Sequence, residues 1–446
     1  MLVGCPPGGG TPRVRRRTEH RIDFDEDGTF MPGFRRSTGR RDRTATWGAE
    51  VARAAAGLSL AATVVMSTIA AVGSTVGVLV GRAVVTPPDQ RRDPVRLHAI
   101  DPAASTVTLA RTTESAAAGN YTLVYAAGRG SCRLGEIVSE NERTVTRRYS
   151  DETGAALEEQ QFVRVASAPE RSIDDVGVPW GERRVPTELG DAPAWLFEAP
   201  GSRDWAIHVH GRGAVLTEPL RSVRLLHDEG WTSLVISYRN DLGAPRSPDG
   251  KFGLGATEWR DVEAAMAFAL SRGAERLLLV GWSMGGATVM QALFASAHRD
   301  RVIGVVLESP VVSWRATLAL QGRRLKLPWW VIRFTTWLLA SPLAPLLVRT
   351  AAPIPIDAME LTRRAGDLRV PVLLFHSTGD TVVPYHPSAR LARARPDLVT
   401  YEQFDEALHV RNWNVDAPRW ERAWRQWVRQ FTSVEEASAV SATSRE

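Results

Sequence analysis

Cysteine and lysine are both scarce in this sequence. Its 446 residues contain two cysteines, Cys5 and Cys132, and two lysines, Lys251 and Lys326. Two cysteines so far apart along the chain form neither a disulfide framework nor a zinc site. The net charge of +5 therefore comes from arginine, and the two signs nearly balance outside residues 1–50. No basic stripe with interleaved aromatic residues occurs, which argues against a nucleic-acid partner.

Charged residues are absent from Ala54 to Gly81. A helix over this range, at about 1.5 Å per residue, would be roughly 42 Å long, more than the ~30 Å hydrocarbon core of a bilayer. The pattern predicts a transmembrane helix, with a buried soluble helix or a cleaved signal as the alternatives. More arginines precede the segment than follow it, which favours a cytoplasmic N-terminus. We therefore expect a single-pass protein of the cell membrane whose later domains are extracytoplasmic.

Composition divides the chain into six segments along its length. Short β-rich runs separated by Gly, Asn and Ser turns predict a small β domain, whose role is either packing or the control of substrate access. Alternating strand and helix patterns predict a larger α/β domain after it. The segments are a disordered Arg-rich tail at 1–50, a transmembrane helix at 51–85, a linker at 86–98, the β-rich domain at 99–177, the α/β domain at 178–432 and a disordered tail at 433–446.

The most informative motif is Gly-Trp-Ser-Met-Gly at residues 281–285. It lies between an apolar run that ends at Val280 and a helical pattern that starts at Gly286, which predicts a strand, a sharp turn and a helix. This is the context that a nucleophile elbow requires, because glycines let the backbone enter a strained turn and expose the serine hydroxyl. Ser283 is therefore predicted to be a nucleophile.

A serine hydroxyl needs a base to take its proton and a carboxylate to orient that base. The strand pattern at 370–375 runs into a loop that contains Asp380, and the strand pattern at 399–404 is followed by His409. The chain order is serine, aspartate, histidine, with each residue just past a strand. We predict that His409 is the base and that Asp380 orients it.

A serine nucleophile also needs backbone N–H groups that stabilise the oxyanion. The strand pattern at 205–210 ends in glycines, which allow the backbone to approach a ligand closely. The predicted oxyanion hole consists of the N–H groups of Met284 and Arg212. Gly211 and Gly213 are the alternatives to Arg212.

Together these motifs resemble the α/β-hydrolase superfamily, in particular the esterase and serine-peptidase branch related to Bem46-type and ABHD-type hydrolases. The residues that carry the resemblance are His210-Gly211, the motif at 281–285, Gly379-Asp380 with Val383-Pro384, and His409. The resemblance spans about residues 178–431 and implies a mostly parallel sheet covered by helices. It also implies acyl transfer to water through an acyl-enzyme, without a cofactor. Carboxylic ester hydrolysis is the leading function, and a serine peptidase or a non-catalytic protein of the same fold are the alternatives.

About sixty residues separate the strand pattern that ends near Leu307 from the one that starts at Val370. In the superfamily such an insertion is commonly a cap over the active site, which implies a cap at about 312–368. Its residues Trp330, Phe334 and Trp337 share one helical face. That face either packs on the hydrolase core or forms an apolar pocket or membrane-facing lid, which would fit a lipid-like acyl substrate.

Two further patterns are interpreted as structural. His208 and His210 lie on one strand face, but no third metal ligand is evident, so no metal site is predicted. Trp420, Trp424 and Trp427 form a stripe on the last helical pattern and are predicted to lie in the core.

Other acids and bases lie near the predicted site. Glu308 follows a strand and is the alternative to Asp380 as the orienting acid. His376 and His386 flank Asp380, but neither follows the last strand, so His409 is the better base.

Overall fold

The charge-free apolar run at residues 54–81 lies within the first helix of the described residues. The computed structural model describes residues 41–88, 95–168, 170 and 172–443. Helix α1 covers Arg41–Val85 and therefore begins inside the predicted tail at 1–50, of which residues 1–40 lie outside the described residues. Among the described residues, Glu50–Val85 is the one helical stretch long and apolar enough to cross a membrane. The chain divides into two units between Ile69 and Ala70 of this helix.

The β-rich segment is a closed barrel of six antiparallel strands in the order β1-β2-β5-β4-β3-β6. Alternating burial explains its strands, since Val107 and Leu109 of β2 face the barrel core while their neighbours face outward. The predicted β-rich domain is confirmed, although its first strand begins within the predicted linker at 86–98. The strands are β1 Val95–Asp101, β2 Thr106–Ala110, β3 Tyr121–Tyr125, β4 Gly130–Glu140, β5 Thr144–Gly154 and β6 Phe162–Ala166.

The rest of the chain builds an eight-stranded sheet in the order β14-β13-β12-β11-β9-β10-β8-β7. Six strands run parallel to one another. At one edge, β8 pairs antiparallel with β10 and with β7. Burial along the central strands is nearly continuous because helices cover both faces. The strands are β7 Gly181–Thr187, β8 Gly190–Phe197, β9 Asp204–Val209, β10 Thr232–Ile236, β11 Arg276–Trp282, β12 Val302–Glu308, β13 Val372–Ser377 and β14 Val399–Phe404.

Helices connect these strands and complete the predicted α/β-hydrolase fold. The carboxyl ends of the parallel strands meet at one edge of the sheet, so the loops after β9, β11, β13 and β14 converge there. After α1, the helices outside the insertion are α2 Leu220–Asp228, α3 Trp259–Ser271, α4 Met284–Ala295, α8 His386–Ala394, α9 Asn412–Val415 and α10 Ala417–Thr443.

The insertion between β12 and β13 is helical. It contains α5 Trp314–Arg324, α6 Trp329–Ala340 and α7 Ala344–Leu347. The aromatic face of α6 has a partner that the sequence did not indicate, because Trp330 lies against Gly73 of α1 and Phe334 against Gly77. Trp337, on the same face, is half exposed. A role for this insertion as a cap stays a prediction.

The last helix, α10, packs against one face of the sheet. Trp420, Trp424 and Trp427 of α10 are buried and pack with Phe375 of β13 and its neighbours, which confirms the predicted core stripe. The helix continues to Thr443, into the segment 433–446 that was predicted to be a disordered tail. The prediction ended the α/β domain at residue 432, whereas the backbone of α10 stays helical beyond that residue.

Candidate active site

Ser283 occupies a strained turn between β11 and α4. Its φ of 52° and ψ of −115° are rare for a residue with a side chain. The flanking glycines make the turn possible. A Cβ on Gly281 would lie 2.6 Å from the carbonyl oxygen of Gly285, and a Cβ on Gly285 would overlap the carbonyl oxygen of Val209. Strain of this kind persists at a functional site because the surrounding strands and helix hold it.

Three side chains that are far apart in sequence form one chain of hydrogen bonds. The Oγ of Ser283 lies 2.8 Å from Nε2 of His409. Nδ1 of His409 lies 2.7 Å from Oδ2 of Asp380. Because a carboxylate only accepts, Nδ1 carries the proton and Nε2 is free to accept from the serine hydroxyl. This is the tautomer that a general base requires.

The carboxylate of Asp380 is held by more than the histidine. Its Oδ1 accepts hydrogen bonds from the backbone N–H groups of Val382 and Val383, at 2.8 and 2.9 Å. Its Oδ2 lies 3.2 Å from Nε2 of His376. Burial alone would raise the pKa of Asp380, but the charge of His409 and the bonds from both histidines hold that pKa well below its usual range. The acid is therefore ionised throughout the neutral range.

Opposing effects act on the pKa of His409. Burial of the ring lowers it, whereas the charge of Asp380 and the hydrogen bond to it raise it, and the net pKa lies above its ordinary value. The imidazolium that forms when His409 takes a proton is thus stabilised by Asp380. An imidazole with this setting accepts a proton from serine more readily than one without the acid.

The loop after β9 brings backbone N–H groups to the serine. A Cβ on Gly211 would lie only 3.1 Å from the Cβ of Ser283. The N–H of Gly211 already donates to Oε2 of Glu218 at 2.7 Å, which leaves Arg212 as the better donor in this loop. Arg212 and Met284 both line the cavity at Ser283. The oxyanion hole stays a prediction that this placement supports.

His210 anchors that loop through two hydrogen bonds. Its Nε2 lies 2.9 Å from Oδ2 of Asp241, and its Nδ1 lies 2.8 Å from the carbonyl oxygen of Gly211. Both partners accept, so both ring nitrogens carry protons. Burial lowers the pKa of His210, but Asp241 outweighs this and the net pKa is raised. The neighbouring His208 lies between the hydroxyl groups of Ser222 and Ser233.

Glu308 does not contact the histidine that it was considered to orient. Its carboxylate accepts from Nδ2 of Asn412 at 2.8 Å and from Nε1 of Trp420 at 3.0 Å. Burial raises its pKa, which the two donors offset only in part. Glu308 therefore ties α9 and α10 to the end of β12.

The barrel contacts the segment that follows His409. The side-chain amide of Asn414 donates to the carbonyl oxygens of Asn120 and Ser167, at 2.7 and 2.9 Å. The N–H of Asn120 in turn donates to the carbonyl oxygen of Asn414 at 3.1 Å. These bonds brace the histidine loop, which is a structural role for a domain whose role the sequence left open.

A cavity of about 390 Å³ opens at Ser283 and His409. Most of its lining is aliphatic or aromatic, and among the described residues that line it none carries a carboxylate. The insertion contributes residues such as Trp314, Leu318 and Ile332, and α1 contributes Val80, Ala83 and Val84. The sequence pointed to neither α1 nor the contact of His376 with Asp380. The available signal for α1 was its glycines at residues 73, 77 and 81, since small residues four apart mark close helix packing.

Two family comparisons cover separate parts of the chain. Residues 222–430 match the prolyl oligopeptidase family, and residues 96–166 match a domain of unknown function, DUF8805. The second match coincides with the barrel. No curated protein matches the sequence of this chain.

Solved structures with a similar fold include esterases, a lipase and a peptidase. An esterase from Pyrococcus furiosus is 17% identical with a TM-score of 0.46, over 58% of this chain and 94% of its own. A puromycin-hydrolyzing peptidase from Mycobacterium tuberculosis is 18% identical with a TM-score of 0.44, over 68% of this chain and 46% of its own. A monoacylglycerol lipase from Paleococcus ferrophilus is 21% identical with a TM-score of 0.37, over 53% of this chain and 97% of its own. At these values the likeness carries no conclusion about substrate.

The strand order, the turn at Ser283 and the family match place this chain in the α/β-hydrolase superfamily. It is a serine hydrolase. This assignment includes both esterases and peptidases, and the Bem46-type branch stays a prediction.

Proposed function

We propose that this protein is a membrane-anchored carboxylic ester hydrolase with Ser283 as nucleophile, His409 as general base and acid, and Asp380 as the residue that orients His409. The observation that carries the proposal is the unbroken set of hydrogen bonds from Ser283 through His409 to Asp380. An activated serine beside an apolar cavity fits an ester with a lipophilic acyl group.

In the proposed reaction, Oγ of Ser283 attacks the ester carbonyl carbon while Nε2 of His409 takes the hydroxyl proton. The carbonyl electrons move to oxygen, and the N–H groups of Met284 and Arg212 stabilise that charge. The C–O bond to the alcohol then breaks, and His409 gives its proton to the departing oxygen. A water molecule attacks the acyl-enzyme in the same way, with His409 taking its proton and returning it to Ser283.

A serine peptidase is the second candidate, favoured by the match of residues 222–430 to the prolyl oligopeptidase family. The cavity favours the ester. Its described lining offers no carboxylate to bind the ammonium group of an aminoacyl substrate, whereas its apolar surface suits an acyl chain. A panel of p-nitrophenyl esters and aminoacyl amides separates the two. Turnover of the esters without turnover of the amides supports the ester hydrolase, whereas turnover of the amides supports the peptidase, because a serine peptidase also cleaves activated esters.

Covalent labelling tests the nucleophile directly. A fluorophosphonate probe reacts with an activated serine, so wild-type protein is expected to be labelled and Ser283→Ala is expected to show no labelling. In-gel fluorescence on equal amounts of folded protein measures both. Unlabelled, folded wild-type protein would instead indicate a non-catalytic member of the fold, since fold alone establishes no activity.

We also propose that α1 anchors the protein in the cell membrane, with the catalytic domain on the extracytoplasmic side. Leu58, Met66 and Val72 are among the apolar side chains of residues 50–72 that the structure describes as exposed. That stretch is roughly 34 Å long at about 1.5 Å per residue, which is enough to cross a bilayer. Reporter fusions at residue 48 and after residue 443 are expected to be active on opposite sides, and activity on the same side would contradict this topology.

A further inference from the structure

The last turns of α1 pack tightly against the insertion. Gly73, Gly77 and Gly81 are buried and form one stripe, and a Cβ on Gly77 would lie 2.6 Å from the ring of Phe334. The hydroxyl of Thr335 on α6 donates to the carbonyl oxygen of Gly77 at 3.1 Å. Because these glycines have no side chains, α6 can approach the backbone of α1 closely.

The C-terminal end of α1 is tied to the predicted oxyanion loop. The guanidinium of Arg212 donates to the carbonyl oxygens of Ala83, Val84 and Thr86, at 2.6, 2.8 and 2.8 Å. The carbonyl groups of Ala83 and Val84 belong to the last turn of the helix and have no partner within it, so the arginine caps them and offsets the negative end of the helix dipole. The N–H of Phe252 donates to the carbonyl oxygen of Val85 at 2.8 Å. The end of α1 is thus held from two sides.

Residues of this held segment line the cavity that opens at the serine. Val80, Ala83 and Val84 form part of its wall, and Leu325 and Ile332 of the insertion form another part. Leu325 is 65% exposed, so the cavity has an apolar rim that faces solvent or lipid. An apolar cavity with a reactive serine at one place in its wall is suited to hold an acyl chain whose carbonyl carbon meets that serine.

We propose that this cavity is an acyl-chain subsite and that Val80, Ala83 and Val84 of α1 set the length of the chain that it accepts. The same helix that anchors the protein then forms part of its substrate site. This inference rests on the proposed ester hydrolase function and adds to it the substrate class, an ester of a fatty acyl group.

The test compares p-nitrophenyl acetate with p-nitrophenyl octanoate, using the full chain in detergent. Ala83→Trp adds an indole to the cavity wall and is expected to lower kcat/KM for octanoate at least tenfold more than for acetate. Each methylene group that loses apolar contact weakens binding by about fourfold, so two displaced groups account for this difference. Val80→Ala replaces a residue of the same wall with a smaller one, which enlarges the cavity. It is expected to shift the preferred ester to a longer chain, such as decanoate.

Leu79→Trp is the matched control, because Leu79 is an exposed residue of the same helix and does not line the cavity. It is expected to leave the ratio of octanoate to acetate turnover unchanged. If Ala83→Trp leaves the ratio of octanoate to acetate turnover unchanged, whether or not both esters are turned over more slowly, the subsite proposal is overturned. Fluorophosphonate labelling of each variant separates this result from failure of the hydrolase proposal, since a protein with a wrong subsite but a working Ser283 is still labelled.

Discussion

Replacing His409 with alanine is expected to lower kcat for a p-nitrophenyl ester by about 10⁶-fold, the loss seen when the base of a serine triad is removed. The physical reason is the 2.8 Å bond between Oγ of Ser283 and Nε2 of His409, through which the hydroxyl proton leaves. Without that acceptor the serine must attack as a neutral hydroxyl, and no group protonates the departing alcohol. Steady-state kinetics at neutral pH measure the effect.

The matched control is His386→Ala. His386 lies at the start of α8, close in sequence to Asp380, but its side chain is exposed and forms no part of the cavity lining. We expect its kcat to stay within about twofold of wild type, as for most surface substitutions. Retained turnover in His409→Ala would show that another residue serves as the base.

Asp380→Asn is expected to lower kcat by about 10⁴-fold while the protein stays folded. An asparagine amide offers a donor where the carboxylate accepted, which favours the tautomer of His409 with its proton on Nε2. That tautomer has no acceptor for the hydroxyl of Ser283.

The pH profile of Asp380→Asn should change as well. In wild type, activity falls as the pH drops through the pKa of His409, which Asp380 raises above its ordinary value of about 6.5. In Asp380→Asn, the acid limb of the residual kcat/KM should shift to a lower pH, because burial then lowers the pKa of His409 without the opposing charge of Asp380.

Glu308→Gln provides the comparison for this prediction. Both positions are buried carboxylates at the carboxyl ends of parallel strands, but Glu308 binds Asn412 and Trp420 and does not touch His409. Its replacement should change kcat by less than about tenfold and shift the acid limb less than Asp380→Asn does, because the charge of Glu308 raises the pKa of His409 less than Asp380 does. The reverse outcome, a large loss in Glu308→Gln and a small one in Asp380→Asn, would transfer the orienting role to Glu308.

Much of the candidate site could be predicted because its signals are local. The motif at 281–285 specifies a turn that only small flanking residues permit, and the structure gives Ser283 a positive φ there. Asp380 and His409 were placed after strand patterns, and parallel strands deliver such loops to one edge of the sheet. The contribution of Arg212 was predicted for its backbone, whereas its side chain caps α1, and no local pattern in the sequence indicates that partner.

By itself, the sequence determined the order of the elements, the apolar helix and the residue types that a serine hydrolase needs. These features depend on short-range periodicity, turn chemistry and charge, which neighbouring residues fix among themselves. Only the tertiary structure decided which surfaces meet. It brought α1 against α6 and gave the cavity a wall from residues 80–84, and it set Asn414 against the barrel. Such contacts join residues that are distant along the chain, and they depend on shape complementarity between whole elements, which no local window of sequence contains.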